Sequence, residues 1–155
     1  MRVLLVCTAN ICRSPMAQGV LERLLLDRGL SERIRVDSAA TQDYFEGAPP
    51  EVHACEEAAA RGLDISALRA RTVTAADFDS SDLLLAMDRQ SLAYLQYLAP
   101  PVRRENVRLF MSFADRRAPD VPDPYRRNGR AFKRAMDIIE RGAAAVVEHL
   151  VDSGA

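Results

Sequence analysis

The chain contains 155 residues, is 48% hydrophobic and carries a formal net charge of −1. This length and composition suit one domain with an ordinary apolar core, so we expect a single domain over residues 1–155. The balanced charge gives no reason to expect nucleic acid or an anionic membrane as a partner, and no apolar run approaches the ~20 residues of a membrane-spanning helix.

The first predicted element is a short buried strand over residues 3–6, followed directly by Cys7. The loop after it reads Thr8-Ala9-Asn10-Ile11-Cys12-Arg13. Ser14 then suits a helix N-cap, and Pro15 suits the first helical position. A loop that joins a strand to a helix N-terminus can bind an anion, and it shifts a thiol toward thiolate. Because the guanidinium of Arg13 matches two phosphate oxygens, the segment predicts a phosphoryl-transfer site rather than a buried structural cysteine beside a surface arginine.

The remaining elements alternate between helix and strand. Apolar periodicity predicts helices over residues 14–28 and 132–150, and Pro49, Pro50 and Gly62 at its ends predict a helix over 51–61. Short strands are predicted over residues 34–36, 82–87 and 107–110. This alternation is typical of a parallel α/β sheet. An anion-binding loop after the first strand fits a three-layer, flavodoxin-like architecture whose four-stranded sheet has the order 2-1-3-4.

Residues 111–128 have weak periodicity and include Pro119, Pro122 and Pro124. Such a segment is either a mobile surface loop or a loop that carries a catalytic acid to a rigid site. The residues alone leave both interpretations open.

Two motifs resemble those of the low-molecular-weight protein tyrosine phosphatases. The first is Cys7-x5-Arg13-Ser14-Pro15, with Asn10 and Cys12 in register, and the second is Asp123-Pro124-Tyr125. Residues 37–39, 69–71 and 82–88 also look like segments of this family, so the resemblance spans nearly the whole chain. It implies a flavodoxin-like phosphatase and favours an acid role for Asp123.

The chemistry that follows needs no cofactor. We expect Cys7 to attack phosphorus in line and to form a cysteinyl-phosphate, while Arg13 and loop N–H groups hold the equatorial oxygens. Asp123 would protonate the leaving oxygen and then activate the water that hydrolyses the intermediate. Neither His53 nor His149 stands at metal-ligand spacing to a cysteine pair, so we expect no metal.

Other residues are assigned supporting roles. The predicted phosphate loop, apart from Cys7 and Arg13, consists of Thr8, Ala9, Asn10, Ile11, Cys12 and Ser14. Ala9 replaces the family's usual Gly, so we expect a backbone conformation there that tolerates a Cβ. Asn10 and Ser38 either brace the loop or have ordinary turn roles, and Asp88 either bridges to Arg13 or Ser14 or caps a helix.

Aromatic residues are candidates for the substrate cleft. Tyr44, Phe45 and Tyr125 would form the sides of a deep cleft that selects phosphotyrosine over phosphoserine. The expected partners are therefore phosphotyrosine-containing proteins, with a cognate tyrosine kinase as a further candidate. Arg126, Arg127 and Arg130 either attract acidic or multiply phosphorylated segments or form a solvated face.

The cysteine count of 3 argues against a disulfide scaffold. Cys12 either forms a reversible protective disulfide with Cys7 or merely packs, and Cys55 is expected in the core. The apolar stretch before Cys7 is too short for a signal peptide, so we expect a cytoplasmic protein.

Two alternative functions stay open. Protein-arginine phosphatases resemble the chain throughout but carry Thr at the position of Ile11, whose branched side chain should crowd a guanidinium-phosphate. A non-catalytic phospho-binding module is the second alternative, although binding alone needs neither a nucleophile nor an acid. Thioredoxin-coupled arsenate reductases need two further cysteines near the third strand, and residues 83–88 contain none.

Overall fold

The computed structural model describes residues 1–154 and contains a four-stranded parallel sheet. Its strands are β1 (Arg2–Cys7), β2 (Arg35–Ala40), β3 (Leu83–Ala86) and β4 (Val107–Leu109). They lie in the order β2-β1-β3-β4, which confirms the predicted topology. All four carboxyl ends consequently meet at one edge of the sheet, where the loop after β1 also lies.

Within the described residues, five α-helices surround the sheet. They are α1 (Arg13–Asp27), α2 (Val52–Ala60), α3 (Ala75–Ser80), α4 (Arg89–Leu98) and α5 (Gly129–Asp152). Short 3-10 helices lie at Pro101–Asn106 and Phe110–Phe113. No helix within residues 1–154 is both long enough and apolar enough to cross a membrane.

The central strand β1 is buried on both faces. Val3 and Leu5 pack into a larger core with α1, α2 and α5, whereas Leu4 and Val6 pack into a smaller core with α3 and α4. Because both faces of a central parallel strand are covered, its sequence is continuously apolar instead of alternating. This rigid strand holds Cys7 at its end.

The start of α1 differs from the prediction. The helix begins at Arg13, and its N-cap is Cys12, which makes no capping hydrogen bond through its side chain. The predicted N-cap role of Ser14 is therefore wrong, because its hydroxyl bonds to Cys7 and Asn10 inside the loop.

Other boundaries shift by a few residues. The strand predicted over residues 34–36 extends to Ala40, because its backbone pairs with β1 as far as Cys7. Two elements had no counterpart in the prediction, α3 and α4. At the start of each helix a carboxylate accepts a hydrogen bond from a backbone N–H group. Asp77 accepts from the N–H of Thr74 at 2.8 Å, and Asp88 accepts from the N–H of Ser91 at 2.7 Å.

Candidate active site

Cys7 lies at the carboxyl end of β1 and is only 3% exposed. Its Sγ accepts from the N–H of Asn10 at 3.3 Å and lies 3.1 Å from the Oγ of Ser14. These two contacts hold the sulfur in one position at the base of the loop.

Asn10 provides the turn in the loop. It has a φ of 58°, a left-handed conformation that asparagine adopts more readily than most residues. Ala9 is not among the residues of positive φ, so the expectation that its conformation tolerates a Cβ is confirmed.

The side chain of Asn10 ties the loop to the rest of the fold. Its Nδ2 donates to Ser14 Oγ at 2.7 Å and to Ser38 Oγ at 3.0 Å, and its Oδ1 accepts from the N–H of Arg71 at 3.1 Å. Ser38 in turn donates to Gln18 Oε1 at 2.7 Å. The bracing roles left open for Asn10 and Ser38 are both present in the structure.

Sequence reasoning missed two members of this network. Gln18 lies on the buried side of α1, and a polar side chain within an apolar helical stripe was the available signal. Arg71 donates to both Asp37 and Asp77, at 2.8 and 2.9 Å. No local pattern connects Arg71 with the loop, because the contact joins distant parts of the chain.

Arg13 is buried beneath the loop, and its guanidinium is held from two directions. Its Nη1 donates to Asp88 Oδ2 at 2.6 Å and to the carbonyl of Val121 at 3.1 Å. Burial by itself would lower the pKa of Arg13, but the negative charge of Cys7 and the hydrogen bond to Asp88 raise it above its ordinary value. The guanidinium is consequently a fixed positive charge at the base of the site.

Asp88 performs both roles that were considered for it. Its Oδ2 accepts from Arg13 while its Oδ1 caps α4 through the N–H of Ser91. Burial would raise the pKa of Asp88, but the hydrogen bonds from Ser91 and Arg13 outweigh burial and hold it below the ordinary value. Asp88 therefore stays ionised and orients Arg13.

The proline-rich segment brings Asp123 to the same place. Its Oδ2 lies 3.7 Å from Arg13 Nη2, and its side chain is 53% exposed. The N–H of Tyr125 donates to its Oδ1 at 3.1 Å. Val121 anchors the segment, since its N–H donates to the carbonyl of Met87 at 2.8 Å. The segment is thus tied to the sheet edge next to the loop.

A cleft of ≈ 190 Å³ opens above these groups. Its lining consists of Cys7, Thr8, Ala9, Ile11, Cys12, Arg13, Tyr44, Phe45, Asp123 and Tyr125. The rings of Phe45 and Tyr125 meet edge to face with centroids 5.7 Å apart, and Tyr44 is 68% exposed at the rim. Every side chain predicted for the cleft therefore lines one cavity.

The loop backbone offers donors to that cavity. Asn10 donates its N–H to Cys7, whereas the N–H groups of Ala9, Ile11 and Cys12 donate to no protein acceptor within residues 1–154. Free N–H groups ahead of a helix N-terminus are suited to a tetrahedral oxyanion.

A protein-family comparison agrees with this geometry. The family described as low molecular weight phosphotyrosine protein phosphatase matches residues 2–154. The chain belongs to this family.

Two relatives and one solved structure are similar to this chain over nearly its whole length. The low molecular weight phosphotyrosine protein phosphatase of Homo sapiens is 34% identical over 148 residues, covering 94% of this chain and 93% of that protein. The low molecular weight protein-tyrosine-phosphatase of Streptomyces coelicolor is 37% identical over 152 residues, covering 94% and 91% respectively. A crystal structure of protein tyrosine phosphatase from Entamoeba histolytica superimposes with a TM-score of 0.95 at 29% identity, covering 100% of this chain and 99% of that one.

All three cysteines of this low molecular weight phosphatase family member are free thiols. Cys12 is 4% exposed and lines the cleft. Burial, followed by the negative charge of Cys7, raises the pKa of Cys12. Cys55 was expected in the core, but it is only partly buried at the margin of the larger core.

The histidines lie apart from the cleft. His53 stacks on Phe132 near the start of α2, with centroids 5.4 Å apart, and His149 packs against Phe113 near the end of α5. Within residues 1–154, no three His, Cys, Asp or Glu side chains are grouped so that they could hold a metal ion.

Proposed function

We propose that this chain is a protein tyrosine phosphatase in which Cys7 is the nucleophile, Arg13 binds the phosphate and Asp123 is the general acid and base. One observation carries the proposal: these three residues, which come from two separate segments, line a single cleft whose base is the Cys7–Arg13 loop. A guanidinium, a row of free N–H groups, a sulfur nucleophile and an exposed carboxylate together supply every group that hydrolysis of a phosphate monoester requires.

The reaction proceeds in two steps. The sulfur of Cys7 attacks phosphorus, the P–O bond to the leaving group breaks, and Asp123 gives its proton to the departing oxygen. Water then attacks the cysteinyl-phosphate, Asp123 removes a proton from that water, and the S–P bond breaks to release inorganic phosphate. Arg13 and the N–H groups of the loop hold the equatorial oxygens throughout, and this positioning supplies most of the acceleration.

The cleft favours an aromatic leaving group. Phe45, Tyr125 and the rim residue Tyr44 provide flat sides, and Ile11 adds an apolar surface next to the sulfur. The branched side chain of Ile11 should crowd a guanidinium-phosphate in this cleft, which argues against protein-arginine phosphatase activity. Thr8, Ala9, Asn10, Ile11, Cys12 and Ser14 accordingly form and support the phosphate loop.

The cellular setting belongs to the proposal too. Substrates are phosphotyrosine-containing proteins, and a cognate tyrosine kinase is the natural source of such substrates. We place the protein in the cytoplasm, because a nucleophilic Cys7 beside Cys12 needs a reducing compartment to stay active. One phosphatase domain accounts for residues 1–155, since both catalytic segments lie on the same sheet edge.

Turnover of three matched peptides tests the proposal. Phosphotyrosine, phosphoarginine and phosphoserine peptides of otherwise identical sequence are offered to the wild type, to Cys7→Ser and to Asp123→Ala. We expect phosphate release from the phosphotyrosine peptide alone, no release by Cys7→Ser, and a loss of about 10²–10⁴-fold in kcat for Asp123→Ala.

The variants also separate the alternatives. Faster release from phosphoarginine would establish the arginine phosphatase, and binding without release by the wild type would establish a non-catalytic module.

With p-nitrophenyl phosphate, whose leaving group needs little protonation, the loss of kcat in Asp123→Ala should be much smaller than with phosphotyrosine. An equal loss on both substrates would rule out Asp123 as the acid.

A further inference from the structure

A basic groove lies directly beside the catalytic cleft. It has a volume of ≈ 340 Å³ and is lined by Pro122, Asp123, Pro124, Arg127, Asn128, Arg130, Ala131 and Arg134. Asp123 lines both the groove and the catalytic cleft, so the two cavities share a side. A peptide held in the cleft by its phosphotyrosine can therefore extend past Asp123 into the groove.

The three arginines of the groove have no ion-pair partners among the described residues. Arg127, Arg130 and Arg134 are exposed, and none forms an ion pair with a carboxylate of residues 1–154. Arg61, which also contacts α5, differs from them because its guanidinium pairs with three carboxylates. The groove thus gathers three arginines in one concave space, and Asp123 is the one acidic residue among its lining residues.

Backbone geometry places these arginines around the groove. The N–H of Arg127 donates to the carbonyl of Pro124 at 3.0 Å, which closes a turn directly after Asp123. Arg130 and Arg134 are four residues apart on α5 and so share one face of the helix. The first turn of α5 contains no acidic residue, so the positive end of the helix adds to the same field.

We propose that this groove is a substrate subsite for a second anionic group, a carboxylate or a second phosphate close to the phosphotyrosine. The proposal rests on the proposed function, because it takes the phosphotyrosine to lie in the cleft. Guanidinium groups match the oxygens of carboxylate and phosphate in a planar fork, and three of them face one cavity here. The protein consequently prefers acidic phosphotyrosine segments to neutral ones.

Three phosphotyrosine peptides of equal length test the subsite: one flanked by Glu, one by phosphoserine and one by Gln. Their kcat/KM values are measured for the wild type, for the double variant Arg127→Gln/Arg130→Gln and for Arg134→Gln. The matched control is Arg141→Gln, which removes an exposed arginine of α5 that forms no ion pair within residues 1–154 and lies about 16 Å along the helix axis from Arg130.

We expect the wild type to prefer an acidic peptide over the Gln peptide by about tenfold, which is the size of effect that a few exposed charge pairs produce. The ratio should fall to about twofold in the double variant, fall by a smaller factor in Arg134→Gln, and keep its wild-type value in Arg141→Gln. The preference should appear in KM and weaken as salt rises, because salt screens exposed charges.

The outcomes distinguish this proposal from the function on which it depends. Equal kcat/KM for all three peptides in the wild type, or an unchanged ratio in the double variant, overturns the subsite and leaves the phosphatase proposal intact. A ratio lowered equally by Arg141→Gln shows a general charge effect and also overturns it. If no peptide is hydrolysed, both proposals fail. A preference for the phosphoserine peptide alone supports the subsite and assigns it to a second phosphate.

Discussion

Arg13 is a buried charge whose position depends on Asp88. The side chains of the pair are only 4% and 14% exposed, and their closest atoms lie 2.6 Å apart. A buried pair of this kind contributes little net stability, because desolvation offsets much of the attraction. Removal of one partner is costly, however, since it leaves the other charge uncompensated. The pair therefore fixes the direction of the guanidinium more than it stabilises the fold.

Asp88→Asn should remove part of the acid sensitivity of the protein. The pKa of Asp88 lies below its ordinary value in the folded state, so its contribution is complete above about pH 4 and is lost as pH falls through the folded pKa. We expect the variant to be about 1–3 kcal/mol less stable at pH 7 and its stability to depend less on pH between pH 5 and 3. Urea unfolding midpoints across this range measure the effect.

The exposed residue Asp79 supplies the control, because its side chain forms no ion pair among the described residues. Asp79→Asn should reproduce the wild-type pH dependence. A wild-type slope in Asp88→Asn would show that the Arg13–Asp88 contact does not govern acid stability.

Cys12 should protect Cys7 against peroxide. Peroxide oxidises the Cys7 thiolate to a sulfenic acid, and attack by the Cys12 sulfur then forms a disulfide and releases water. Burial is the first cause of the raised pKa of Cys12 and persists after oxidation, whereas the second cause, the negative charge of Cys7, disappears once Cys7 is a neutral sulfenic acid. After peroxide treatment, dithiothreitol should restore wild-type activity but only a minor part of the activity of Cys12→Ser.

Cys55→Ser is the matched thiol control, since Cys55 lies outside the cleft. This variant should recover as the wild type does. Equal recovery of activity by Cys12→Ser and the wild type would show that Cys12 only packs within the loop.

Close packing beneath α5 requires Gly142. A Cβ added there would meet the ring of Phe110 and would lie 2.7 Å from the Sδ of Met111, which is closer than real Cβ contacts come. Residues 110–113 connect β4 to the segment that carries Asp123. The approach of α5 to this connection therefore supports both the larger core and the site.

Two glycines of α5 should respond in opposite ways to alanine. Gly142→Ala should destabilise the protein by about 1–3 kcal/mol because the core is overpacked, even though alanine favours helices. At Gly129 a Cβ would meet nothing within 4 Å, so Gly129→Ala should stabilise by about 0.4–1 kcal/mol. Chemical unfolding of both variants measures the difference, and a neutral or stabilising Gly142→Ala would contradict the packing described here.

The site lies at the carboxyl edge of the sheet, where several segments of the chain meet. The loop after β1, the end of β2, the end of β3 and the segment beyond β4 all contribute to the site, although they are far apart in the chain. A ligand that binds across these segments binds the folded state only. Occupancy of the loop should therefore stabilise the entire molecule.

Inorganic phosphate should raise the melting temperature. At a concentration of about 100 times its Kd, binding adds about 2.7 kcal/mol to the free energy of unfolding. For a domain of this size the expected rise is about 5–10 °C, measured by thermal unfolding with and without phosphate. Arg13→Lys keeps the charge but loses the planar fork, so its shift should be much smaller.

Arg141→Gln provides the reference for this measurement, because it removes an arginine far from the loop. It should show the wild-type shift. An equal shift in Arg13→Lys would mean that phosphate acts on the protein generally and not at the loop.

Features that depend on neighbouring residues were readable in the sequence. The continuous apolar run of β1, the anion-binding loop from Cys7 to Arg13 and the long apolar stripe of α5 all follow from short-range patterns. The strand order followed from the position of the anion-binding loop after the first strand. The candidate cleft residues were also named in advance, and the acid role of Asp123 was favoured by the family resemblance of Asp123-Pro124-Tyr125. The helix α3 was not predicted because its six residues make too few turns for a periodic pattern, and α4 was not predicted because it buries only Ser91 and Leu95.

The contacts that orient the site required the folded chain. Asn10 meets Ser38 and the N–H of Arg71 across 28 and 61 residues, and Arg13 meets Asp88 across 75. Ser14 has the chemistry of an N-cap, yet its hydroxyl serves Cys7 and Asn10 because the loop places it there. Hydrogen bonds are directional and short, so which donor finds which acceptor is settled only when the parallel strands align and bring distant segments to one edge.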